Sequence, residues 1–117
     1  MVQISVEEGS NMDTQESSKW ETWEREGYQT GRFSILPQTM STIRDYIEHG
    51  YQPGSFLTAV ICNDLKGTVN QADDNNIRNI PAFVIFLCNN APAGCWGSAE
   101  KMKVWIQKKK EEREEYE

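Results

Sequence analysis

The chain has 117 residues, of which 38% are hydrophobic and 26% are charged, so it is long enough for one domain with one modest core. Its formal net charge is −6. No segment is strongly basic, which excludes the positive surface expected of a protein that binds nucleic acid directly. No apolar run approaches the roughly 20 residues of a membrane-spanning helix, so we expect no membrane contact.

The cysteines indicate the compartment in which the protein acts. Cys62, Cys88 and Cys95 form no C-x-x-C pair. Their odd number and the lack of a signal-peptide pattern favour a reducing compartment, and we expect a cytoplasmic protein. Because His49 is the only histidine, a zinc site would need all four side chains to converge without the usual ligand spacing. We therefore expect no metal and no other cofactor.

The first third of the chain divides into a polar segment and an aromatic one. Residues 1–18 lack periodicity and predict a disordered extension, and Met12 is an alternative start that would make residues 1–11 an addition to the natural chain. Residues 19–36 are rich in aromatic side chains and predict an arm that lies on a helical body. Trp20 and Trp23 are three residues apart and would share one face of a helical turn.

A second interpretation of this aromatic arm is an exposed segment that binds a partner. Trp, Tyr and Arg are enriched among the residues that dominate binding energy. On this interpretation the contact residues are Trp20, Trp23, Tyr28 and Arg32. The two tryptophans would also suit the contact of a homodimer.

Residues 37–117 predict a helical domain, because apolar residues recur there at spacings of three and four between strong start and stop signals. Pro37 suits a first helical position, Gly50 a helix end, and Ser55 an N-cap. The predicted fold is all-α, a small four-helix bundle with the N-terminal aromatic arm. Its helices run from about Pro37 to His49, Ser55 to Ala72, Asn75 to Asn90 and Ser98 to Arg113.

The third predicted helix is apolar nearly all round, which predicts the central and most buried element. Pro81 either kinks it or begins its main segment after a short lead turn. A strand at Ala82–Leu87 is the alternative, because β-branched and aromatic residues are frequent there. In the helix before it, Asp64 lies beside the apolar stripe, where it either caps or pairs with another element or lies at the solvent edge.

The segment Asn89–Ser98 joins the last two helices and has the densest turn signals in the chain. Pro92 ends the preceding helix, and Ser98 predicts the N-cap of the next one. Trp96 lies between two glycines and predicts a hydrophobic plug that fixes the start of the last helix. The alternative is a ligand wall, in which Tyr51, Ser55, Trp96 and Ser98 line one pocket for an anion and a flat ring, such as a nucleotide-like molecule.

Catalysis has little support in the sequence. His49 and Cys95 are the only candidate base and nucleophile, and no third group is predicted to orient them. Asp73 and Asp74 have the character of helix-capping residues rather than of an acid–base pair. We therefore predict that the protein is not an enzyme.

Four stretches, taken in order, resemble a family of short bacteriophage and prophage proteins of unassigned function; they are His49–Val60, Asn63–Leu65, Ala72–Asn76 and Asn89–Ser98. The resemblance covers residues 37–106. It implies a phage-encoded accessory protein that acts inside a bacterial cell, often on host defence systems. The prediction is a non-enzymatic protein that binds a host bacterial protein. One form of this prediction is an inhibitor of a host defence system, similar to an anti-CRISPR protein. The alternatives are a small-ligand-binding or sequestering protein and a structural or assembly protein.

Overall fold

The computed structural model of the protein describes residues 18–115. The disorder predicted for residues 1–18 and the alternative start at Met12 lie outside the described residues, except that residue 18 begins the first helix. The described chain is mostly helical, in the order α1 (residues 18–26), β1 (Tyr28–Thr30), β2 (Phe33–Ile35), α2 (Pro37–His49), α3 (Ser55–Ile61), α4 (Leu65–Gln71), α5 (Asp74–Arg78), α6 (Ile80–Asn90), a 3₁₀ turn (Ala93–Cys95) and α7 (Ala99–Glu115).

The helical character was predicted, but the arrangement is not clearly a four-helix bundle. Two of the predicted helices are each divided in two, and a small antiparallel hairpin was not predicted at all. In that hairpin Tyr28 faces Ile35 across β1 and β2, and Gly31 makes the turn with a φ of 59°. A three-residue strand carries too little alternation to be recognised in the sequence.

Helix α2 runs from Pro37 to His49 and confirms the predicted helix in full. Its end is local in origin, because Gly50 adopts the left-handed conformation with a φ of 71° and its N–H donates to the carbonyl oxygen of Tyr46. The stripe of Met40, Ile43 and Tyr46 is buried.

The predicted helix from Ser55 to Ala72 is wrong as a single element. It breaks after Ile61, where Asn63 adopts a positive φ of 60°. Asp64 then begins α4, and its carboxylate accepts a hydrogen bond from the N–H of Gly67 at 3.0 Å. Asp64 is therefore a helix cap. Ser55 is not the predicted N-cap: Gly54 holds that position without a side-chain bond, and Ser55 is the first helical residue.

The third predicted helix is likewise divided, at Asn79, between α5 and α6. Pro81 stands in the first turn of α6, so it begins the main segment rather than kinking a longer helix. The strand alternative at Ala82–Leu87 is wrong, because these residues lie inside α6. Asp73 caps α5 by accepting a hydrogen bond from the N–H of Asn76 at 2.7 Å, as its predicted capping character requires.

Two apolar clusters form the core. The larger joins the aromatic arm, α2, α3 and α6; its buried members are Trp20, Ile35, Met40, Ile43, Phe56, Leu57, Val60, Ala82, Phe83, Phe86 and Leu87. The smaller lies where α2, α3 and the 3₁₀ turn meet α7, and its buried members are Tyr46, Ile61, Cys95 and Met102. Trp96 packs against both clusters.

Candidate functional site

The aromatic arm faces the core rather than the solvent. Trp20 is 5% exposed, and its ring meets that of Phe86 edge to face at a centroid distance of 5.7 Å. The rings of Trp23 and Tyr28 meet Phe86 in the same way at 5.1 and 5.0 Å. The arm therefore lies on the helical body, and the interpretation of Trp20 as an exposed partner contact is wrong, because its surface is already used within the chain.

The other proposed partner residues are placed less deeply. Trp23 and Tyr28 are half-buried against the larger cluster. Arg32 is exposed at the hairpin turn, where its guanidinium lies 5.2 Å from the ring of Phe33. Of the four residues, only Arg32 is exposed, so the four do not form one exposed binding surface.

A half-buried ion pair links α1 to α2. The guanidinium of Arg44 donates to the carboxylate of Glu24 at 2.6 Å and to that of Glu48 at 3.0 Å. The hydrogen bond with Glu24 is the main reason that the pKa of Arg44 is raised. Burial raises the pKa of Glu24, but hydrogen bonds with Arg44 and Ser41 and the charge of Arg44 outweigh it, so the net shift is downward.

The loop that carries Trp96 is held in place from both sides. Tyr46 donates its buried hydroxyl to the carbonyl oxygen of Cys95 at 2.7 Å. The N–H of Gly97 donates to the carbonyl oxygen of Ile61 at 2.7 Å. Ser98 accepts from the N–H of Lys101 at 3.1 Å, which confirms it as the cap of α7. With Trp96 packed between the two clusters, the hydrophobic-plug interpretation describes this loop.

The four residues proposed to line a ligand pocket do not share any of the three cavities described next. Three surface cavities of 740, 590 and 420 Å³ lie on the described part of the chain. Ser55 lines the two smaller ones, and none of the three is lined by Tyr51, Trp96 or Ser98. Tyr51 is half exposed and packs between the His49 ring and the Arg113 guanidinium. Its stacking partner Arg113 had no predicted role.

Helix α7 closes over the carboxyl end of α2, a contact that the sequence did not reveal. The indole N–H of Trp105 donates to the carbonyl oxygens of Tyr46 at 3.3 Å and Ile47 at 3.1 Å. Arg113 donates to the carbonyl oxygen of His49. These acceptors include the unpaired carbonyl groups of a helix end, where a cation also complements the helix dipole. The spacing of Trp105, Lys109 and Arg113 by four was the only available signal.

The arrangement of Cys95 and His49 does not suit nucleophilic catalysis. Cys95 is completely buried, and its burial raises the pKa of the thiol to about 11. A nucleophilic cysteine needs the opposite environment, with partial exposure and a stabilised thiolate. His49 lies exposed at the end of α2, where its Nε2 is 4.0 Å from a carboxylate oxygen of Glu48.

The three thiols are expected to react with iodoacetamide at very different rates in the folded protein. Cys88 is exposed and should be alkylated first, whereas Cys95 should react at least about 100-fold more slowly at pH 8, because it is buried and rarely ionised. Peptide mass spectrometry after timed alkylation measures each rate. In urea the difference between Cys88 and Cys95 should disappear. Equal rates in the folded protein would contradict the buried position of Cys95.

The largest of the three cavities is an open groove along α7, here named the α7 groove. It has a volume of about 740 Å³ and a mostly apolar lining. Met102, Val104 and Ile106 of α7 line it, together with Thr58 and Cys62 of the α3 segment. Lys103, Lys108, Glu100 and Glu111 of α7 add charges of both signs to its lining.

Helix α6 presents a second unusual surface, here named the α6 face and formed by Pro81, Val84 and Cys88. These residues recur at spacings of three and four and are all exposed, with Val84 at 43%. This helix was predicted to be the most buried element, but one of its sides is exposed. Its opposite side, with Ala82, Phe83, Phe86 and Leu87, is buried.

Within residues 18–115, no group of three or more His, Cys, Asp or Glu side chains is arranged to hold a metal ion. None of the helices in that range combines the length and the apolar character required to cross a membrane. Comparisons of the chain with protein-family models, with curated proteins and with solved structures gave no match.

Proposed function

We propose that this protein is a non-enzymatic, phage-type accessory protein that binds a host bacterial protein through the α6 face. The observation that carries the proposal is the exposure of an uncharged helix. No residue of α6 from Ile80 to Asn90 is charged, yet the α6 face is open to solvent. Exposed apolar surface that forms a contiguous patch is a frequent mark of a protein-binding site.

The surroundings of the α6 face suit a protein partner better than a small molecule. None of the three cavities includes Pro81, Val84 or Cys88, so a partner would meet a convex helix surface. A single exposed helix face is a recurring recognition element, in which anchors follow the spacing of three and four. The net charge of −6 would favour association with a basic surface on the partner.

The resemblance to short phage and prophage proteins supplies the setting of this proposal. It supports a bacterial cytoplasm as the place of action and a host protein, including a component of a defence system, as the target. The buried Cys95 and the exposed His49 give catalysis no support. Because Tyr51, Trp96 and Ser98 line none of the three cavities, protein binding is favoured over the nucleotide-like ligand.

Capture of proteins from a bacterial lysate by the tagged full chain tests this function. We expect the wild type to retain a host protein, and Val84→Glu to lose it, because a buried carboxylate without a partner opposes association. Leu65→Glu is the matched control, since Leu65 is 75% exposed on α4 and the substitution is the same. Circular dichroism shows whether both variants stay folded.

The outcomes separate the function from the surface. Capture that Val84→Glu abolishes and Leu65→Glu preserves supports both. Capture that survives Val84→Glu contradicts the α6 face as the binding surface. Lysates of several bacterial hosts that yield no protein above background would contradict host-protein binding itself.

A further inference from the structure

We propose that two copies of this chain pair antiparallel through their α7 helices. A ridge on α7, formed by Glu100, Val104 and Lys108, would lie in each copy against the α7 groove of the other. The inference goes beyond the proposed function and uses a different surface. It rests on the order of charges along α7, on an exposed apolar residue at the centre of that order, and on the shape of the groove.

The ridge consists of Glu100, Val104 and Lys108, which follow one another at intervals of four and therefore lie along one line of the helix surface. All three are exposed and line the α7 groove. When the helix runs in the opposite direction, Glu100 takes the position of Lys108, Lys108 takes that of Glu100, and Val104 stays at the centre. A two-fold axis through Val104 therefore places Glu100 of each copy against Lys108 of the other.

These charges have no such partner within the described chain. Glu100 and Lys108 are eight residues apart, roughly 12 Å along the helix, which is too far for a direct ion pair. Neither forms an ion pair with another residue between positions 18 and 115, although the Lys108 ammonium lies 5.2 Å from the centre of the Trp105 ring. A second copy provides the complementary charge for both at once.

The apolar side chain at the centre of the ridge is the reason that contact between two copies would exclude water. Val104 is 55% exposed although it lines a mostly apolar groove. On pairing, the two Val104 side chains meet near the axis, and the groove beside α7 receives part of the partner helix.

A charge-reversal cycle tests the pairing, with the dimer dissociation constant measured by analytical ultracentrifugation at low salt. Glu100→Lys alone sets lysine against lysine at two places, and Lys108→Glu alone sets glutamate against glutamate. Each should weaken the dimer at least about tenfold. The double variant Glu100→Lys/Lys108→Glu restores opposite charges and should recover most of the wild-type affinity. High salt should weaken the wild-type dimer.

Two further variants make the result specific. Lys110→Glu makes the same charge change two positions from Lys108, outside the groove lining, and should leave the dimer intact. Val104→Lys places two ammonium groups near the axis and should abolish it. A wild type that stays monomeric up to millimolar concentration overturns the proposal. So does a dimer that the single reversals leave unchanged, or one that the double variant fails to restore, since its contact would then lie elsewhere.

Discussion

Replacing Phe86 by alanine is expected to lower the free energy of unfolding by about 3 to 5 kcal/mol, the range for removing a fully buried aromatic side chain. Phe86 is 0% exposed, and three aromatic rings of the arm meet it at 5.0 to 5.7 Å. The substitution removes the surface on which Trp20, Trp23 and Tyr28 all rest. The cavity would also release the arm from α6, so the two tryptophans should become more exposed.

Urea unfolding followed by circular dichroism measures the loss of stability, and tryptophan fluorescence reports the environment of the arm. Val84→Ala is the matched control, because Val84 lies on the outward side of the same helix and should change the stability by less than about 1 kcal/mol. A Phe86→Ala protein as stable as the wild type would contradict the attachment of the arm to α6. An unchanged emission wavelength would contradict the predicted exposure of its tryptophans.

Replacing Gly50 by alanine is expected to cost about 2 to 4 kcal/mol for two separate reasons. First, its φ of 71° is one that residues with a side chain rarely adopt. Second, a Cβ at this position would lie 2.6 Å from the Cβ of Lys109 and 3.3 Å from the backbone of Ile106. The close approach of α7 to the end of α2 leaves no room for a methyl group there.

Gly31→Ala separates these two contributions. Gly31 also has a positive φ, of 59°, but an added Cβ would meet nothing within 4 Å. Its substitution should therefore show the conformational cost alone, about 1 kcal/mol. Urea unfolding of both variants gives the difference, which measures how tightly α7 lies on Gly50. Equal losses of stability in the two variants would mean that α7 can move away at little cost.

The features of the candidate surfaces that the sequence predicted are the local ones. Ser98 and Asp73 accept hydrogen bonds from N–H groups only three residues ahead of them, so their capping roles follow from the chain around them. Gly97 and Pro92 likewise restrict the loop that holds Trp96. Ser55 shows the limit of such reasoning, because Gly54 directly before it can begin the helix equally well.

The α6 face and the α7 groove could not be predicted, because each depends on which side of a helix its neighbours cover. Helix α6 is apolar on nearly every side, so its sequence did not distinguish the buried Phe86 from the exposed Val84. The lysines of α7 are visible in the sequence, but the groove beside them is not. Their relation to Glu100, Val104 and the groove requires the position of α3 beside α7.

The sequence by itself determined the helical character of this protein, the full extent of α2, and the capping roles of Asp73 and Ser98. Proline, glycine and capping side chains act on the backbone within a few residues, so their effects are readable along the chain. Only the tertiary structure decided that Trp20 lies on Phe86, that α7 crosses at Gly50, and that one side of α6 stays open. Whether a side chain is buried depends on neighbours that are distant in sequence. When apolar residues lie on both sides of a helix, the sequence does not show which side those neighbours cover.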